Sequence, residues 1–251
     1  MAVTEAFSGS PWDTETTDEW NEPTYWHDYY SKLLLEGDPW RRDQLIHRPA
    51  EPLIQMLTRA GELPRTTPCR LLDAGCGISL TPWLLSHWGF DVTAIDSCPL
   101  AITEAYRLDP DEEDLARCVQ VWESGPRSQG YILSEDPKRS LQRLRGYRSK
   151  EGSLAYFRRD WFDEALPRGS FGVIHCRNAL RCSTKPYWRR SLLRFRELLA
   201  PCGMLLLENV NAGGIPCEVE RLLNECRFIP LHRAEETDPD RRYVIARWPT
   251  G

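Results

Sequence analysis

The chain has 251 residues, 41% of them hydrophobic, and its 37 acidic against 32 basic side chains give a net charge of -5. That length supports one sizeable core and favours a single domain over two. The acidic balance gives no global attraction to nucleic acid or to acidic membranes, and no apolar run reaches the roughly 18 to 20 residues of a membrane span, so a cytoplasmic protein is expected.

Residues 1–19 are acidic and polar, hold no lysine or arginine, and predict a mobile tail. Their acids stand where a signal peptide has a basic start. From 20 to 61 the chain turns aromatic and helical, first in "WNEPTYWHDYYSKLLLEGDPW" and then in "PAEPLIQMLTRAG", whose glycine suits a helix C-terminus. "CRLLDAG" and "FDVTAID" read as short buried strands, separated by a helix in "TPWLLSHWG" that ends at Gly89. A second helix, "PLAITEAYRL", follows. Residues 108–152 are polar and charged, show no convincing strand, and are expected to be an insertion. Within it, "PKRSLQRLRGYRSK" is basic enough to touch a phosphate backbone, but flanking acids make nucleic acid an unfavoured partner.

Strand signals resume in "SLAYFRRD" and "FGVIHC". In "PYWRRSLLRFRELLAPCG", Trp188, Leu192, Phe195 and Leu199 share one helical face; Ser183 and Thr184 before Pro186 mark a start, and Pro201 with Gly203 a stop. "GMLLLENV" is a near-continuous apolar strand, followed by a helix in "CEVERLLNEC" and a last strand, "RYVIARW". This alternation predicts a Rossmann-like, doubly wound, mostly parallel seven-stranded sheet with helices on both faces and an N-terminal helical lid, all in one domain over 20–251. A ligand crevice is expected at the carboxyl ends of the strands. The nine cysteines are scattered without a C-x-x-C pair, which predicts reduced thiols and no metal site.

The chemistry concentrates in "DAGCG", a loop that leaves a strand and enters a helix. Glycine lets backbone approach a ligand there, and free helix amides gather at the same place. A dinucleotide loop would place a third glycine where this chain has Leu80. Asp73 would also repel a pyrophosphate, whereas it suits an aminoacyl ammonium, so the loop favours S-adenosylmethionine over NAD. Asp96 ends the next strand, about twenty residues on, the usual distance for an acid that accepts from ribose hydroxyls. Asp160, in "RRDWF", ends the third strand and suits the adenine amino group, with Trp161 or Phe162 over the ring. Each aspartate alone reads equally well as a turn or helix cap. Three at successive strand ends point to one ligand.

With "LLDAGCG", "TAIDSCPLAI", "RRDWF", "CRNAL" and "LLAPCGMLLL" the chain resembles the class I S-adenosylmethionine-dependent methyltransferases, from about Trp26 to the C-terminus. The resemblance implies that Asp73, Gly75 and Gly77 hold the methionine part, Asp96 the ribose, and Asp160 with Trp161 the adenine. Cys76, Ser97 and Cys176 stand beside these positions and are expected to line the same cofactor. Ser79 departs from the pattern, since many members have a third glycine there. "GSLAYFRRDWFDEALPRGSFGVIHCRNAL" and "YWHDYYSKLLLEGDPW" look like the thiopurine methyltransferase branch, in which the N-terminal aromatic segment covers the cofactor and helps to shape the acceptor pocket. That likeness implies Trp26 over the cofactor, Tyr29 at the reacting end, and a small-molecule acceptor. Methylation of a protein or RNA is the alternative, and a non-catalytic cofactor-binding partner a second one. A monomer is expected.

Among the groups able to assist the reaction are His27, His47 and His175. His175 lies nearest the crevice, where it reads either as a base or as a satisfied core histidine. Arg177 and Arg181 stand close enough to hold an anionic acceptor group. The thiopurine branch usually has an aspartate before that arginine, and Cys176 replaces it. With no carboxylate expected beside Arg177, the acceptor is expected to ionise largely by itself, with Arg177 favouring the anion and His175 at most assisting.

Overall fold

The computed structural model describes residues 23–35, 46, 69–111, 114–115, 122–124, 131–133, 152–180, 183–208, 216–233 and 243–247. The acidic tail, the helix expected in "PAEPLIQMLTRAG", and Trp20, Trp40, His47, Arg181 and the basic stretch of the insertion lie outside these residues. The described elements, in chain order, are α1 (Pro23–Leu35), β1 (Cys69–Ala74), α2 (Thr81–His87), β2 (Phe90–Asp96), α3 (Pro99–Arg107), β3 (Trp122–Ser124), β4 (Tyr131–Leu133), β5 (Leu154–Arg158), β6 (Phe171–Arg177), α4 (Lys185–Leu198), β7 (Leu199–Glu208), α5 (Pro216–Glu225), β8 (Ile229–Arg233) and β9 (Tyr243–Arg247).

Five strands form a parallel sheet in the order β5–β2–β1–β6–β7. Beyond β7, strand β9 pairs antiparallel and β8 pairs antiparallel to β9. Successive residues of the central strands serve opposite faces. Leu71, Val173, Met204 and Leu206 join Leu84, Leu85 and Trp88 of α2 in one apolar cluster. Leu72, Ile174, Leu205 and Leu207 join Trp188, Leu192 and Phe195 of α4 and Leu222 and Leu223 of α5 in another. A strand buried on both faces must be apolar throughout, which explains the near-continuous runs in the sequence. Helices on both faces of a parallel sheet agree with the expected Rossmann-like class. No helix among the described residues is long and apolar enough to cross a membrane.

Local chemistry sets the helix ends. Pro82 sits in the first turn of α2, the Ser79 hydroxyl accepts the Thr81 N–H at 3.1 Å, and Gly89 at φ 93° turns the chain back into β2. Thr184 caps α4, its side chain accepting the Tyr187 N–H at 3.4 Å, and Trp188, Leu192, Phe195 and Leu198 are buried beneath it.

Three features go beyond what the sequence predicts. Strand β8 escaped the reading because Pro230 interrupts its apolar run; proline fits at the register shift between Pro230 and His232 on an edge strand. The segment 108–152 contains a short antiparallel ladder, β3 with β4, whose three-residue strands are too brief to leave a period in the sequence. The start of that segment also belongs to the core, since Leu115 is buried among Leu71, Leu84 and Val92. Leu115→Ala should therefore lower the unfolding free energy in urea by about 2 to 5 kcal/mol, whereas Ile229→Ala, at an exposed site, should change it by about 0.5 kcal/mol or less.

Candidate active site

The sheet order reverses at β1, whose neighbours β2 and β6 lead to opposite edges. A crevice therefore opens at the carboxyl ends of β1 and β6, where a ligand meets loops rather than packed helices. The glycine loop lies there. Gly75 and Gly77 adopt φ of 74° and 56°, a left-handed conformation that side chains resist. The Gly75 and Cys76 N–H groups donate to the Ile95 carbonyl at 2.9 and 3.0 Å, which lashes the loop to the end of β2. A methyl group at Gly77 would lie 2.5 Å from the Tyr30 hydroxyl, and one at Gly75 would lie 2.5 Å from the Ala179 Cβ. Both glycines are thus required by backbone conformation and by close approach.

Asp96 joins the two loops that frame the crevice. Its Oδ2 accepts the Gly77 N–H at 3.0 Å and its Oδ1 accepts the Cys98 N–H at 2.8 Å. Burial raises its pKa to about 6; these two N–H groups oppose the rise, and the charges of Asp73 and Asp160 add to it. Asp160, with Oδ1 accepting the Phe162 N–H at 2.8 Å, is itself raised by burial, with Arg190 opposing. The three aspartates expected to act together are therefore near enough to feel one another, and their negative charge is under-compensated. That donor set suits a ligand with cationic centres and hydroxyl donors, and it opposes a pyrophosphate. S-adenosylmethionine, with a sulfonium, an ammonium and a ribose diol, fits it.

A buried ionic chain runs sideways from Asp73. His175 Nδ1 lies 2.9 Å from Asp73 Oδ1 and its Nε2 lies 2.6 Å from Glu208 Oε1, while Arg177 Nε stands 3.3 Å from Glu208 Oε2. Burial alone would depress the imidazole pKa, but the two carboxylates overcome it and raise the value to about 9. His175 is an imidazolium at neutral pH with both nitrogens engaged, so it has no lone pair with which to take a proton. Both ring nitrogens have carboxylate partners, the arrangement of a satisfied core histidine. The expectation that no carboxylate stands beside Arg177 is overturned: Glu208 is its in-register neighbour on β7. Sequence reasoning missed Glu208, although the signal was present. An acid closing the buried run "LLLE" repeats the pattern of Asp73 and Asp96.

The remaining expected residues fall into place as follows. Trp161 is buried in the α4 cluster, where its Nε1–H donates to Ser191 Oγ at 3.1 Å. Its Cζ3 would lie 3.8 Å from a methyl group at Gly75, against the glycine loop, and the neighbouring Phe162 is half-buried with Arg190 4.3 Å over its ring. Trp26 and Tyr29 pack edge to face on α1 at 5.6 Å, but Tyr29 is exposed and the loop contact belongs to Tyr30. Helical spacing fixed the face of α1 only to within one residue. Ser97 is half-buried between Asp96 and Cys98; Cys76 and Cys176 are buried, and burial with nearby carboxylates pushes both thiols up, so both stay neutral. His27 is exposed on α1.

Residues 42–239 match a family model described as a methyltransferase domain. A search among curated proteins finds no match to the sequence. Among solved structures, the chain is similar to magnesium protoporphyrin IX methyltransferase from Synechocystis PCC 6803 with bound SAM, at 16% identity and a TM-score of 0.54, covering 93% of this chain and 99% of that one. It is similar to Burkholderia thailandensis 1,6-didemethyltoxoflavin-N1-methyltransferase with bound 1,6-didemethyltoxoflavin and S-adenosylhomocysteine, at 15% identity and 0.52, covering 94% and 92%. A SAM-dependent methyltransferase from Methanosarcina mazei aligns at 18% identity and 0.50, covering 77% and 98%. At these identities the likeness is one of fold.

The ionic chain has a pH signature. The native imidazolium loses its proton near pH 9, the unfolded one near 6.5, so the native state holds the extra proton between them. The stabilisation from His175 is complete below about pH 6.5 and is lost as pH rises through 9. Urea unfolding of the wild type from pH 6 to pH 10 should show that decline, and His175→Gln should lack it.

Proposed function

Because the chain belongs to the methyltransferase-domain family, we propose that it is an S-adenosylmethionine-dependent enzyme that methylates a nucleophilic sulfur, oxygen or nitrogen of a small molecule. The observation that carries this reading is the convergence of Asp73, Asp96 and Asp160 on the glycine loop, with the Asp96 pKa forced up to about 6 by burial and the other carboxylates. The bound cofactor supplies a sulfonium methyl group that is already electrophilic, so little covalent help is asked of the protein. The protein's work is binding and alignment.

Gly75 and Gly77 admit the aminoacyl part and Asp73 presents its charge to the ammonium. Asp96 keeps a free lone pair on each oxygen beyond the backbone N–H groups it already accepts, which suits a pair of ribose hydroxyls. Asp160 would accept from the adenine amino group, with Phe162 or Trp161 to cover the ring. Tyr30, against the loop, and Trp26 beside it on α1 exclude water from the methionine end. His175 takes no proton, and the neutral Cys176 thiol is a poor base. The acceptor's nucleophile therefore ionises by its own acidity. Arg177, its charge balanced by Glu208, orients it through N–H groups. The bound acceptor in the toxoflavin relative and the likeness to the thiopurine branch support a small heterocyclic acceptor.

Transfer of labelled methyl from S-adenosylmethionine to a metabolite extract tests the assignment: label should enter the small-molecule fraction and stay out of protein and RNA. Asp96→Ala should weaken S-adenosylhomocysteine binding about 5- to 150-fold, the loss of one buried acceptor worth roughly 1 to 3 kcal/mol, with the fold retained. In the wild type, affinity for S-adenosylmethionine should fall as pH drops below about 6, because a cationic ligand favours the ionised Asp96 and binding then releases a proton. Calorimetry that finds unchanged affinity in the variant, or label in macromolecules, would contradict the proposal.

A further inference from the structure

The ionic chain spans three adjacent strands at their carboxyl ends, from Asp73 on β1 through His175 and Arg177 on β6 to Glu208 on β7. Its members are buried, with side-chain exposures of 3%, 2% and 1% for Asp73, His175 and Glu208, and 13% for Arg177. Charges so placed are tolerated only when paired, and replacing them with apolar residues is often neutral or stabilising. Stability alone therefore gives no reason to place four ionised groups here. A hydrophobic strand end would do as well.

Glu208 is the branch point. One oxygen receives the imidazolium and the other faces the guanidinium, so the carboxylate fixes two cations on one strand at once. His175 then braces Asp73, which begins the glycine loop, while Arg177 stands at the more exposed end beside the crevice. We propose that Glu208 is a positioning residue that couples the cofactor loop to Arg177 through His175, so that occupation of the loop sets the orientation of the arginine offered to the acceptor. This rests on the cofactor reading above. The linkage is mechanical and electrostatic together: any pull on Asp73 by a cationic ligand is transmitted to the imidazolium, then to the carboxylate, then to the guanidinium. The titratable and charged groups around His175 are Asp73 on β1, Glu208 on β7, and the neutral Cys176 thiol, whose pKa both carboxylates raise.

The test follows the ring nitrogens of His175 and the Nε–H of Arg177 by 15N NMR while S-adenosylhomocysteine is added. In the wild type both sets of signals should shift with the same binding curve. In Glu208→Gln, which retains size but loses the charge and one of the two acceptor oxygens, the His175 signals should still respond and the Arg177 response should be lost. S-adenosylhomocysteine affinity should fall about 2- to 30-fold in that variant, the usual range for coupling through such networks. Glu208→Asp, which keeps the charge, should recover part of the Arg177 response. An Arg177 signal that ignores ligand binding in the wild type, or that responds unchanged in Glu208→Gln, overturns the proposal, and the wild-type titration decides it even if neither variant folds. A wild type that binds no S-adenosylhomocysteine refutes the cofactor reading instead.

Discussion

Negative charge held in a poorly solvated place is the constraint on which this site depends. Asp73 and Asp96 end β1 and β2, and Asp160 follows β5 by two residues; Asp73 is buried and the other two are partly so. Moving a carboxylate out of water is costly unless it is paired and hydrogen-bonded. The chain meets that cost in three ways. Backbone N–H groups serve Asp96, an imidazolium serves Asp73, and Asp160 is left with one N–H and a neighbouring arginine. The compensation is incomplete by design of the fold, and what is missing is positive charge. On the proposed reading a cationic cofactor supplies it.

The two strand ends to the other side of β1 carry the counterpart. His175 and Arg177 on β6 and Glu208 on β7 turn an excess of acid into an ordered alternation of signs, negative, positive, negative, positive. On the proposed reading, that alternation keeps the histidine protonated and out of acid–base chemistry. On that same reading the enzyme works through alignment, and its acceptor brings its own acidity.

Much of this was legible in the sequence because the relevant signals are local. The glycine loop, the aspartates at strand ends, the threonine before α4 with the proline in its first turn, and the apolar runs of the central strands each follow from a few adjacent residues. What escaped was non-local or self-masking. Glu208 matters only because β6 and β7 pair in a register that sets it beside Arg177, and no spacing within one strand reports a neighbour thirty residues away. Strand β8 was hidden by Pro230, and the small β3–β4 ladder by its brevity. On α1 the aromatic cluster is plain in the sequence, but which ring faces the loop depends on a rotation of about 100° per residue, and the ring against Gly77 is Tyr30. The Trp161 indole N–H finds its partner, Ser191, thirty residues away on α4, another pairing that no local spacing reports.

The central claim is that the under-compensated carboxylates form a cradle for S-adenosylmethionine. Thermal melting of the intact protein with S-adenosylhomocysteine, set against NAD at the same concentration, tests it most directly. At a concentration about 100 times the dissociation constant, binding to the native state stabilises by roughly 2.7 kcal/mol, a rise of about 5 to 10 °C in Tm for a chain of this size. The account predicts that rise with S-adenosylhomocysteine and none with NAD; a rise with NAD and none with S-adenosylhomocysteine would contradict it.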